Sequence, residues 1–284
     1  MTDDTKKVLA VHDLSGFGRC ALTVIIPVLS AMGVCTVPLP TALLSTHTGG
    51  FTGLTFYDLS HTMEPALEHY KSLNLTFDAL YTGFLGSAGQ IDTVTNAIEM
   101  FGDGVTVLVD PVMGDDGKVY QTYTAEMCCR MRELCHKANI ITPNITEAYL
   151  LCGEEYRETS NMSTEEAIAE AKRLRAKLSS LYDVERIALT GIELADGHIA
   201  TVSYDRSCGC SESIHTLSKV KSGYPGTGDL FASALLGKML TGVDFHTSVD
   251  FACHTVADMI EDTAKYDTPH REGLRLEKNL YRLI

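Results

Sequence analysis

The chain has 284 residues, 45% of them hydrophobic and 21% charged, a composition that fits a globular protein with a sizeable core and excludes fibrous or disordered classes. Its net charge of −14 argues against nucleic acid or an anionic membrane as a partner, yet leaves a nucleotide open, because backbone amides and a metal ion can handle phosphate locally. No apolar run approaches the roughly 20 residues of a membrane span, the polar start at 1–7 carries no secretory signal, and the scattered cysteines lack zinc-site spacing, so reduced thiols and a cytoplasmic location are expected.

In chain order the pattern alternates. Residues 8–11 are a short apolar strand candidate, and Ser15-Gly16-Phe17-Gly18 reads as a turn. Residues 20–32 read as a helix and 34–39 as a second strand, before a polar loop over 41–53. Helices are expected at 64–73, 91–101, 124–137, 145–152 and 164–181, with strands at 79–82, 105–109, 140–141 and 187–190. After Gly191 two short strands, 198–204 and 213–217, suggest an antiparallel edge, and a last helix covers 230–240. This β-α alternation predicts an α/β fold, a mostly parallel sheet with helices on both faces. With no repeat or domain-separating linker, residues 1–284 read as one domain.

In open α/β sheets ligands sit beyond the carboxyl ends of the strands. Polar residues just after strands therefore carry the functional expectation: His12, Asp13, Ser15, 41–48, Gly83-Phe84, Asp110, Asn144, Glu147 and Thr190. The stretch Ser222-Gly223-Tyr224-Pro225-Gly226-Thr227-Gly228-Asp229 runs straight into a helix. Such a junction leaves backbone N–H groups free at a helix start, where the dipole favours an anion. Asp229 there is either a helix cap or a base beside a transferring phosphoryl group. Asp110 and Asp115 flank a Pro-Val-Met-Gly turn, ordinary turn chemistry on its own. Asn144 with Glu147 three residues later is a capping-box pattern. Together they gather hard oxygen ligands near a phosphate cradle, as a magnesium–nucleotide site needs. His12 reads as a hydrogen-bonded structural histidine, and Val119-Tyr120 as an edge strand or part of a flap.

Asp110-Pro111-Val112-Met113-Gly114-Asp115, Thr142-Pro143-Asn144-x-x-Glu147 and Gly226-Thr227-Gly228-Asp229, in this order, resemble the ribokinase superfamily. Ser45-Thr46-His47-Thr48-Gly49 and Thr82-Gly83-Phe84-Leu85-Gly86-Ser87 resemble its vitamin B6 kinase branch, the pyridoxal and pyridoxamine kinases. The match runs over about residues 7 to 262, with Thr46 where that branch usually has Asn and Phe84 where it usually has Tyr. The resemblance implies a three-layer sandwich with antiparallel edge strands, and ATP-dependent phosphorylation of the 5′-hydroxymethyl group of a B6 vitamer. It implies Asp229 as the base, with Gly226, Thr227 and Gly228 as the anion hole. Asp110, Asp115 and Glu147 would hold Mg2+; Asn144, Thr190 and Asp115 would face ATP. Ser15, His47, Thr48 and Phe84 would contact the vitamer. A monovalent cation such as K+ near the cradle and a homodimer are also implied. Two alternatives stay open: a hydroxymethylpyrimidine kinase from a neighbouring branch, and a catalytically silent ligand-binding protein on the same fold.

Overall fold

The computed structural model describes residues 5–220 and 223–284. Among them β1 (Lys7–Phe17), β2 (Cys35–Thr46), β3 (Phe56–Asp58), β4 (Ala79–Thr82) and β5 (Thr106–Val109) form one part of a sheet. A small hairpin, β6 (Gly114–Asp115) with β7 (Lys118–Val119), stands apart from it. The sheet is completed by β8 (Ile140–Ile141), β9 (Arg186–Glu193), β10 (His198–Asp205) and β11 (Ser211–Ser218), in the order β11-β10-β9-β8-β5-β4-β1-β2-β3. Pairing is parallel from β2 through β9; β3 at one edge and β10–β11 at the other are antiparallel.

The strands read as apolar runs because both faces are buried. Leu9, Val11, Leu80, Val107 and Val109 point into one core. Val8, Ala10, Tyr81 and Leu108, at the alternate positions, point into the other. The first core is covered by α2 (Ser60–Ser72), α3 (Ala88–Phe101), α4 (Ala125–Cys135), α5 (Ile145–Cys152) and α6 (Thr164–Tyr182). The second is covered by α1 (Leu22–Ala31), α7 (Thr227–Leu240) and α8 (Phe245–Thr263). The result is the expected mixed α/β sandwich of three layers.

Four local expectations are corrected. Residues 15–17 are not a turn: β1 continues to Phe17 and pairs with β2 through Leu14, Ser15 and Phe17, after a register shift beyond His12. The polar loop at 41–53 gives up its first six residues to β2, where Thr41, Ala42 and Leu44 are buried. The helix expected at 64–73 starts earlier, at Ser60. Helix α8 was not anticipated; Asp244 caps it by accepting from Thr247 N–H at 3.0 Å, and its buried Phe245, Val249, Ala252 and Met259 pack in the second core.

The strand order reverses at β1, which has β2 on one side and β4 on the other. The crevice beyond their carboxyl ends is where such a sheet accepts ligands. His12 follows β1's regular register there, and Gly83-Phe84 follows β4.

Candidate active site

Helix α7 is preceded by Gly226, which has φ +82° and offers no side-chain cap. A Cβ at this glycine would lie 2.2 Å from the Arg19 carbonyl oxygen, so the position excludes any side chain. The first N–H groups of a 14-residue helix are thus presented without a capping oxygen, which suits an anion. Thr227 instead donates its hydroxyl to Tyr224 O at 3.1 Å. Ser222 lies outside the described residues.

Asp229 does not cap its own helix. Its Oδ2 accepts from Ala21 N–H at 2.7 Å, at the start of α1, and its Oδ1 sits 3.0 Å from His12 Nε2. His12 Nδ1 lies 2.9 Å from Asp13 Oδ1, and Ser15 donates its hydroxyl to Asp13 Oδ2 at 2.7 Å. All four side chains are buried. Burial alone would raise the Asp229 carboxyl; His12 and the Ala21 N–H outweigh it and hold it below its ordinary value. Burial alone would discharge His12; Asp229 and Asp13 instead push its pKa up to about 10. A carboxylate on each ring nitrogen favours the charged ring, against backbone N–H groups that also face them, Asp13 N–H at 3.0 Å from Nδ1 and Phe84 N–H at 3.3 Å from Nε2. The sequence reading of His12 as a hydrogen-bonded histidine agrees with this, but it did not name Asp229 as a partner. The His12-Asp13 pair at the end of the first strand marks the rim, but the partner on α7 is met only in the folded chain.

Asp110 follows β5 and is buried. Burial, and after it the charge of Asp229, push it up to about 7. Asp110 approaches the start of α7: a Cβ on Gly228, if present, would stand 3.9 Å from Asp110 Oδ2. Burial and Asp110 push Glu147 well above the usual carboxylate range. Both Glu147 oxygens accept hydrogen bonds: Oε1 from Met113 N–H at 3.1 Å and Oε2 from Asn144 N–H at 2.9 Å. Asn144 Oδ1 accepts from Glu147 N–H at 2.9 Å and its amide donates to Gly114 O at 2.9 Å. The capping box is therefore realised, and it ties the 110–115 turn to α5. Thr190 N–H donates to Pro143 O at 2.9 Å, which sets Thr190 beside Asn144. Asp115 is exposed on β6, accepting from Asp116 N–H at 3.0 Å.

The expected vitamer residues divide into two groups. Ser15 is fully buried beneath Asp13, and Phe84 is nearly so, with its carbonyl accepting from the Thr41 hydroxyl at 3.1 Å. His47 is committed on both ring nitrogens: Nε2 donates to Arg271 O at 2.7 Å and Nδ1 accepts from Gly49 N–H at 3.1 Å. Thr48 beside it is exposed. The segment between these groups is in close contact with both ends of the site. A Cβ on Gly18 would strike the His47 ring at 2.4 Å, and Arg19 O is the atom that forbids one on Gly226.

The family model for phosphomethylpyrimidine kinase matches residues 26–273. The chain belongs to this family, a ribokinase-like group that takes in the pyridoxal kinases. A candidate phosphomethylpyrimidine kinase from Bacteroides thetaiotaomicron is 37% identical, with a TM-score of 0.90 over 100% of this chain and 95% of that one. An orthorhombic crystal form of it, with pyridoxal, superposes with a TM-score of 0.89 over 99% and 96% at the same 37% identity. Pyridoxal kinase from Lactobacillus plantarum is 28% identical, with a TM-score of 0.85 over 98% and 96% of the two chains. A hydroxymethylpyrimidine/phosphomethylpyrimidine kinase from Bacillus subtilis is 25% identical over 242 residues, 85% of this chain and 83% of that protein. The family is one of ATP-dependent kinases, and its relatives divide between B6 and pyrimidine alcohols. Among the described residues no helix is long and apolar enough to cross a membrane.

Among the described residues no three His, Cys, Asp or Glu side chains close around an ion unaided. Mg2+ keeps several waters and uses one or two carboxylates together with substrate phosphates. The donor chemistry fits Mg2+: Asp229 raises the pKa of Asp110 and Asp110 raises that of Glu147, repulsions that a cation would relieve. With both Glu147 oxygens already accepting N–H groups, Asp110 is the carboxylate with more to offer a metal directly.

Proposed function

We propose that this protein transfers the γ-phosphoryl group of ATP to the 5′-hydroxymethyl group of pyridoxal, pyridoxamine or pyridoxine. The observation that carries the reading is Asp229. It is a buried carboxylate held ionised at the uncapped start of α7, so a proton acceptor stands beside backbone donors suited to phosphate. A primary alcohol is a poor nucleophile at neutral pH, and a loose phosphoryl-transfer transition state asks mainly for positioning and charge stabilisation. Asp229 receives the alcohol proton as the new P–O bond forms, and ADP departs. The N–H groups of Gly226, Thr227 and Gly228 face the charge that spreads over the transferring group. Bound Mg2+ would neutralise phosphate charge, with Asp110 as its nearest protein ligand and Asp115 and Glu147 acting through water; K+ is assigned to the neighbourhood of the cradle.

Thr48 and the 45–50 loop, with Ser15 and Phe84 beneath, would recognise the ring, while Asn144 and Thr190 line the side given to ATP. We assign the whole of residues 1–284 to one kinase domain that works in the cytoplasm. A homodimer is supported by the exposed Leu43, Phe56 and Tyr57 at the β2–β3 edge, with Phe17 exposed at the end of β1. The choice of a B6 vitamer is supported by the pyridoxal bound to the Bacteroides relative and by the His47-Thr48-Gly49 motif. The second reading, a hydroxymethylpyrimidine kinase, is supported by the family model and the Bacillus relative. The test is incubation with Mg2+, ATP and pyridoxal, followed by identification of the product. A 5′-phosphate ester formed by the wild type and not by Asp229→Asn is expected; ATP left intact with every alcohol offered would refute the reading.

A further inference from the structure

His12 lies at the centre of the site, bridging two carboxylates. Asp13, its neighbour on β1, faces Nδ1 at 2.9 Å, and Asp229 on α7 faces Nε2 at 3.0 Å. The ring is 2% exposed and edge-on to Tyr81 of β4, with centroids 6.4 Å apart. The other titratable groups around it are Asp110 on β5 and Cys20 just before α1, whose thiol burial and then Asp229 raise well above its ordinary value. Asp229 is thus surrounded by Asp110 and a thiol that stays protonated, and the nearest positive charge is the His12 ring. Access for that ring is built into the chain: a Cβ at residue 83 would lie 2.1 Å from His12 Nε2, so only glycine there lets the imidazole reach Asp229.

Resting on the reading of Asp229 as the base, we infer that His12 is a positioning residue for phosphoryl transfer, whose Nε2 holds Asp229 Oδ1 while Ala21 N–H holds Oδ2. The clamp does two things. It fixes the carboxylate plane with one donor on each oxygen, so the lone pairs left over define where an alcohol proton is received. It also supplies the charge that lets a buried carboxylate next to Asp110 remain ionised. A protonated Asp229 could not accept the proton. Through Asp13 the same ring is joined to Ser15, so a four-residue chain links the base to a residue expected beneath the substrate ring.

His12→Gln separates charge from shape, because the amide still offers a neutral N–H toward Asp229. The expected result is kcat lowered about 10- to 100-fold with KM for ATP within about twofold, and an acid limb in kcat at least about one pH unit above any in the wild type. His12→Leu, with neither donor nor charge, is expected to be less active than His12→Gln at every pH. A Gln variant with wild-type kcat and wild-type pH profile overturns the inference. Should the variants fail to fold, the wild type decides: 15N resonances of the ring, assigned through bonds, are expected to show both nitrogens protonated from about pH 6 to 8. A neutral His12 ring at pH 7 overturns the inference. That measurement uses no substrate, and the kinetic arm is run with whichever alcohol the wild type turns over, so an error about the alcohol and an error about His12 give different outcomes.

Discussion

Replacing Asp110 by Asn separates what this carboxylate does for catalysis from what it costs the fold. Burial and Asp229 raise its pKa from 3.8 to about 7 in the folded protein. A raised carboxyl pKa means that the native state prefers the protonated form; the native advantage is complete below the ordinary value and is lost as pH rises through about 7. Three units at about 1.4 kcal/mol each set a ceiling of roughly 4 kcal/mol on the strain of ionising Asp110 in metal-free protein, and relaxation of the neighbours brings this to about 2 kcal/mol. Asn matches the protonated acid in shape and cannot ionise. In excess chelator the variant is therefore expected to exceed the wild type by less than about 1 kcal/mol near about pH 5 and by about 2 kcal/mol near about pH 8.5, the latter roughly 4–8 °C in melting temperature. With Mg2+ and ATP the same variant is expected to lose at least about 10²-fold in kcat. Thermal melts at the two pH values, with and without chelator, decide the matter. A variant less stable than wild type at the higher pH, or a difference independent of pH, would refute the reasoning.

Three further outcomes follow from the same geometry. Asp229→Asn should lower kcat by about 10²–10⁴ with little change in ATP binding, measured by steady-state kinetics and calorimetry; near-normal turnover would leave Asp229 as a tie between α1 and α7. Activity should require Mg2+ or Mn2+, and Glu147→Gln should raise the metal concentration for half-maximal rate while lowering stability by about 1–3 kcal/mol, because its amide nitrogen would face a backbone N–H; full activity in chelator would exclude the metal. Thr48→Val should lower kcat/KM for a B6 vitamer by roughly 1–3 kcal/mol and leave slow ATP hydrolysis by water unchanged, and an unchanged kcat/KM would remove Thr48 from ring recognition.

Much of this was legible in the sequence. The β-α alternation carried the sheet, and the position of polar residues just past apolar strands placed Asp110, Asn144, Glu147 and Thr190 on one rim. What stayed hidden were contacts between segments far apart in the chain. Nothing local marks His12 as the partner of Asp229, since the pair forms only when α7 docks against the end of β1. Nor does composition show that β1 runs to Phe17, because its last residues are held by pairing with the polar half of β2. Asn144 and Glu147 were read as both cap and ligand; the structure shows the cap and how little each side chain has left to give.

The most direct measurement of the central claim is kcat/KM for pyridoxal, pyridoxamine, pyridoxine and hydroxymethylpyrimidine, taken side by side with Mg2+ and ATP. The pyridine and pyrimidine rings differ in the groups they offer for hydrogen bonding, and a site matched to one leaves buried groups unpaired with the other. The account predicts that one of the three B6 vitamers has the highest value. Faster turnover of the pyrimidine alcohol than of all three would contradict it.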